Sequence, residues 1–187
     1  MTQKLWLKKL KLNYSKNVFD VIQFGSSVKE GKEPNDIDIA IIFNTIPIKN
    51  QLDEAQEIKR QLEKISDLPI HIKSFDLYSF FNPANFAKED ILFHGKSLIY
   101  QDYFARRFGL IPKIQISYSL KKLKKSEKIK VNYMLNGKQG SYGLLRKHEG
   151  KLIRPGMIEI NPEYKEIFLE SLKKLTNEVS SKEILSR

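Results

Sequence analysis

Apolar and polar positions follow two rhythms along the first hundred residues. "KNVFDVIQFG" is apolar at Val18, Phe19, Val21, Ile22 and Phe24 and predicts a strand ending at Gly25. Residues 37–43, "IDIAIIF", are apolar at nearly every position and predict a strand buried on both faces. Between them, "SSVKEGK" predicts a short helix starting at the strand's end, and "EPND" a loop. In "QLDEAQEIKRQLEKIS" the spacing of Leu52, Ala55, Ile58, Leu62 and Ile65 predicts an amphipathic helix with a solvated charged face. "LPIHIKSF" predicts a third strand, followed by Asp76 as the N-cap of "LYSFF". A helix over Lys88 to Phe93 and an extended "KSLIY" close this half near Gln101.

The second half is patterned differently. "DYFARRFG" predicts a short helix stopped by glycine, and "KIQISYSL" alternates as a strand does. A helix starting at Ser126 ends at Gly137. "YGLLRKHEGKLIRPGMIEI" predicts a hairpin turning at Glu149-Gly150, and Pro162 opens a last helix, "EYKEIFLESLKKL". A helix followed by a basic hairpin suits a winged-helix-like or small α+β module. The expected organisation is an α/β (α+β) protein with one lobe over residues 1–101 and a basic lobe over 102–187.

Composition narrows the function. There are no cysteines, so disulfides and cysteine-ligated zinc are excluded. Any metal must be held by oxygen or by His71, His94 or His148. No apolar run approaches the roughly 18 residues of a membrane helix. "MTQKLWLKKLKLNYSK" has too few apolar residues for a secretory signal and reads as a basic helix lying on the core. A soluble cytoplasmic protein with no membrane partner is expected. The net charge of +11 is uneven: residues 103–154 hold 14 Lys or Arg against Glu127 and Glu149, while the rest has 19 basic and 20 acidic residues. This asymmetry predicts a polyanionic partner for the second half.

The candidate chemistry lies in "FGSSVKEGKEPNDIDIAIIF". Residues i and i+2 of a strand share a face, so Asp36 and Asp38 are expected side by side. Two such carboxylates repel unless a cation joins them, and oxygen ligands suit magnesium. An Asp-x-Asp alone arises often by chance. Here it follows Gly25, which lets backbone approach a ligand, and Ser26, whose hydroxyl adds a donor beside a helix N-terminus suited to phosphate. Ser27 extends that turn, and Lys29 supplies a charge one turn later. Together these residues read as a polyphosphate cradle, Gly25, Ser26, Ser27 and Lys29, beside a metal site at Asp36 and Asp38.

This stretch resembles the signature of the polymerase-beta-like nucleotidyltransferase superfamily, especially its minimal nucleotidyltransferase branch. The resemblance covers about residues 1–100, including "HGKSLIY". It implies a small mixed sheet flanked by helices and a nucleoside triphosphate substrate, ATP among the candidates. It further implies Mg2+ or Mn2+ on Asp36 and Asp38, and attack of a hydroxyl on the α-phosphate with release of pyrophosphate. Members often carry a third carboxylate on the next strand, and that position falls on or near His71. His71 is thus a metal ligand, a base or a core histidine, and Asp76 reads as a cap.

The basic half suggests the acceptor. Lys121, Lys122, Lys124, Lys125 and Lys128 surround one helix start, with Arg146, Lys147 and Arg154 on the hairpin. Tyr118, Tyr133 and Tyr142 are interleaved and suited to stacking on unpaired bases, though Tyr133 also fits a core position. The expected reaction is nucleotide addition to an RNA end such as that of tRNA, or to another single strand. The alternatives are modification of a protein partner, as in toxin–antitoxin systems, and a catalytically weak nucleic-acid-binding regulator.

Overall fold

Two strands buried on both faces form the centre of the first unit. β1 (Val18–Phe24) pairs antiparallel with β2 (Ile37–Phe43). α1 (Ile48–Glu63) then crosses over to β3 (Ile70–Asp76), which runs parallel to β2. α2 (Leu77–Phe81) and α3 (Lys88–His94) follow, and short β4 (Lys96–Ser97) pairs with the other edge of β1. The result is a mixed sheet in the order β3-β2-β1-β4. The computed structural model describes residues 4–29, 33–44 and 46–187.

Strand alternation divides the core into two layers. Ile37, Ile39, Ile41 and Phe43 pack with Ala55, Ile58 and Leu62 of α1. Ile22, Phe24, Ala40 and Ile42 face Phe80 of α2, Ile91 of α3 and Phe104. Because α1 begins just after Pro47, its buried stripe starts at Gln51, whose amide donates to the Ile46 carbonyl at 3.0 Å. Leu52 and Ile65, expected on that stripe, are exposed. Asp76 caps α2 as expected: its carboxylate accepts from the Ser79 N–H at 2.6 Å, and Ser79 Oγ accepts from the Asp76 N–H at 3.0 Å.

The chain divides into two units, Met1–Leu110 and Ile111–Arg187, nine residues later than expected. The physical reason is a 3-10 turn, Phe104–Phe108, that belongs to the first core. Phe104 lies edge-on to Phe80 with ring centroids 5.6 Å apart and to Phe19 at 6.4 Å. Gly109, in the left-handed region at φ 69°, ends the turn.

The second unit runs β5 (Ile111–Tyr118), α4 (Lys125–Asn136), α5 (Leu144–Lys147), β6 (Lys151–Arg154), β7 (Met157–Ile160), α6 (Lys165–Lys173) and β8 (Val179–Ser186). Its antiparallel sheet has the order β6-β7-β5-β8. The run from β5 through the two helices to the β6-β7 hairpin, with α6 and β8 added, makes a small α+β module. The hairpin turns at Pro155-Gly156 and not at Glu149-Gly150, because Pro presets φ at one central position while Gly156 takes φ 85° at the next. The segment before it is helical at Leu144–Lys147, where an extended arm was expected. β8 was not predicted: "VSSKEILS" is a largely exposed edge strand without strict apolar alternation. The whole is an α+β protein, and among the described residues no helix is long and apolar enough to cross a membrane.

Candidate active site

At the end of β1 the backbone turns at Gly25 with φ 74°, and a Cβ built there would collide with the Asp38 carboxylate. The β1–β2 register sets up this closeness by pairing Phe24 with Asp38. The parallel register of β2 and β3 pairs Asp38 with His71. Asp36 stands just before β2, and its Oδ2 lies 3.1 Å from His71 Nδ1. The side chain of His71 is 62% exposed, which removes the core reading of this residue. Gly25, Asp36, Asp38 and His71 are therefore brought together at one end of the sheet.

Burial and a neighbouring carboxylate act together on Asp38 at this end of the sheet. Burial holds the Asp38 carboxyl above its usual range, and the charge of Asp36 raises it further. Lys73 and His71 oppose that shift, while Asp90 of α3 adds to it. Lys73 is a site residue the sequence reading missed. It pairs with Ala40 two positions beyond His71, so strand alternation places it on the Asp38 face, and its Nζ lies 5.7 Å from the centre of the Phe24 ring. That period-two rule, applied past His71, was the available signal. Asp90 lies in a charged helical turn that carries no comparable mark.

Other expected members are used differently. Lys29 Nζ is 2.7 Å from Asp90 Oδ1, so its charge is engaged within the fold. The Ser27 hydroxyl is buried, accepting from Gln23 Nε2 at 3.0 Å and donating to the Phe24 carbonyl at 3.1 Å. The expected helix is a single 3-10 turn, Gly25–Val28, so its dipole is small. Residues 30–32 of that prediction lie outside the described residues. Ser26 remains half-buried beside Gly25.

Among the described residues no group of three or more His, Asp or Glu side chains is arranged to hold a metal ion. Asp76 pairs with Phe43 at the far end of β2, about 17 Å along the strand from Asp38, and cannot complete such a group. The donor set still fits magnesium, which commonly takes one or two carboxylates plus substrate phosphates and water. The Asp38 carboxyl, raised by burial and by Asp36, is the observation that fits an added cation.

In the second unit, Lys121, Lys122, Lys124, Lys125, Lys128, Arg146, Lys147 and Arg154 are all exposed. Residues 111–187 carry 17 basic and 8 acidic side chains, most of the surplus of the whole chain. Glu127 caps α4 by accepting from the Lys124 N–H at 2.7 Å, and Lys122 pairs with Glu178 at 2.6 Å. Tyr118, offered as a stacking residue, is buried. Tyr133, for which a core position was also open, is exposed, as is Tyr142. Arg146 lies 4.0 Å from the centre of the Tyr142 ring. The chain matches no protein-family model and no curated protein.

Proposed function

We propose that the chain is a nucleotidyltransferase of the polymerase-beta-like superfamily that moves a nucleoside monophosphate from a triphosphate to the 3′ hydroxyl of an RNA. The observation that carries this reading is the Gly25 turn pressed against Asp38, with Asp36 and His71 beside it. Only glycine lets the turn lie this close to the Asp38 carboxylate, at the end of the strand where the triphosphate would sit. Asp36 and Asp38 would hold Mg2+ or Mn2+, which when bound neutralises phosphate charge and activates the α-phosphate.

The remaining work falls to side chains. The Ser26 hydroxyl and nearby backbone N–H groups orient the triphosphate, and Lys73 balances its charge. The acceptor oxygen bonds to the α-phosphorus as the α–β anhydride bond breaks, and pyrophosphate leaves. With Nδ1 turned toward Asp36, His71 presents Nε2 to take the acceptor's proton. Thus His71 stands where the resemblance implies a third carboxylate and acts as base. The exposed cations of the second unit, with Tyr133 and Tyr142, favour a single-stranded acceptor.

The acceptor is tested by incubating the protein and each α-labelled triphosphate with cellular RNA and, separately, with lysate protein. Label in RNA is the expected result. Label in protein alone would replace the acceptor, and no label with any triphosphate would leave a binding module.

A further inference from the structure

The basic unit contains a cleft lined only by its own residues. It has a volume of about 780 Å³ and lies between the end of β5, the Pro155-Gly156 turn and the start of β8, with Lys121 and Lys128 at its rim. We propose that this cleft binds one nucleotide unit, its phosphate held by the two lysines and its ring laid against the Pro155 wall. The inference rests on the reading of the basic unit as RNA-binding and gives it a defined subsite.

The cleft is built on fixed backbone. The Tyr118 N–H donates to the Gly156 carbonyl at 2.8 Å, and the Ser119 N–H donates to the Glu178 carbonyl at 3.0 Å. β5 and β8 pair Ser117 with Ser180 and Tyr118 with Val179. Its volume falls in the range of small-molecule sites, about 300–1,000 Å³.

Its chemistry selects a phosphorylated ring. The lining carboxylate, Glu178, is already 2.6 Å from Lys122, and that lysine holds it below the usual carboxylate range. Lys121 and Lys128 have no ion pair among the described residues, so the rim keeps a positive surplus. Pro155, Leu120 and Val179 supply apolar wall, while Ser117 and Asn177 supply groups suited to ribose hydroxyls. A purely acidic peptide would satisfy the lysines but would leave the apolar wall unused. The same chemistry is offered by a free nucleotide and by the end of an RNA strand.

The test measures binding of a fluorescent single-stranded RNA to the full chain as salt is varied. Each phosphate contact on a single strand contributes about −0.7 to the log–log slope, so Lys121→Ala with Lys128→Ala should flatten the slope by about 1.4. Asn177→Trp, which fills the cleft with the charges left in place, should also weaken binding. Displacement by adenosine monophosphate assigns the cleft to a free nucleotide, and displacement by oligonucleotide alone assigns it to a strand; both support the proposal. An unchanged slope in the lysine variant, wild-type affinity in Asn177→Trp, or equal displacement by polyglutamate would overturn it. Asp38→Asn should bind RNA normally, so transfer that survives in this variant with cleft binding intact condemns only the catalytic reading. Absence of all RNA binding removes both the RNA acceptor and the subsite.

Discussion

Asp20 is a buried carboxylate within β1, and replacing it with asparagine should change how stability depends on pH. Its Oδ1 accepts from the Val21 N–H at 2.8 Å and from Ser97 Oγ at 2.6 Å. Its Oδ2 is buried without a hydrogen-bond partner among the described residues, and Arg107 Nε is 3.9 Å away. Burial outweighs these contacts and raises the carboxyl from 3.8 to about 6. The folded state therefore binds more protons than the unfolded state between those values, and stability falls as pH rises through them. The full rise corresponds to about 3 kcal/mol, of which about 2 kcal/mol falls between about pH 4.5 and pH 8. Asp20→Asn cannot titrate, and whatever fixed cost its amide carries is the same at both pH values. The variant should gain about 2 kcal/mol on the wild type across that window. Trp6, the single tryptophan, reports on the first unit, so urea unfolding followed by its fluorescence is the assay. With a slope of about 1–2 kcal/mol per molar, the midpoints should separate by roughly 1–2 M urea. Parallel stability profiles for the two proteins would refute the argument.

Gly25→Ala should lower the melting temperature and raise the Michaelis constant for the triphosphate, because it strains a φ of 74° and pushes on Asp38. Normal values of both would remove the cradle. Lys73→Ala should weaken triphosphate binding about tenfold, about 1.4 kcal/mol. Lys29→Ala should leave that binding unchanged and cost up to about 1 kcal/mol of stability through the lost Asp90 pair, measured by urea unfolding. The reverse pattern would restore Lys29 as the phosphate residue. His71→Ala should lower kcat by roughly 10²–10⁴ with little change in melting temperature. A loss confined to thermal stability would make His71 structural.

Several features were legible because a strong local rule governed them. Continuous apolar runs marked β1 and β2, and Asp76 capped the helix that its position predicted. The Gly-Ser and Asp-x-Asp elements converged because strand register alone brings Phe24, Asp38 and His71 into line. Partner-dependent features were hidden. Lys29 looked like a free phosphate ligand until α3 brought Asp90 to it, and Ser27 until it turned inward toward Gln23. Phe104 joined the first core through ring contacts that its sequence neighbours do not announce, which moved the boundary to Leu110. The polar edge strand β8 is held by pairing with β5, a long-range condition that its own residues do not encode.

The central claim is phosphoryl chemistry at Asp36 and Asp38, and the most direct measurement compares wild type with Asp38→Asn in a single transfer assay. An α-labelled triphosphate, magnesium or manganese, and an RNA with a free 3′ hydroxyl are incubated with each protein, and labelled RNA and pyrophosphate are quantified together. A copy of the RNA with a blocked 3′ end serves as the control. The account predicts equal amounts of labelled RNA and pyrophosphate from the wild type, neither from the blocked RNA, and neither from a folded Asp38→Asn protein. Wild-type labelling by Asp38→Asn, or none by the wild type with any of the four triphosphates, would contradict it.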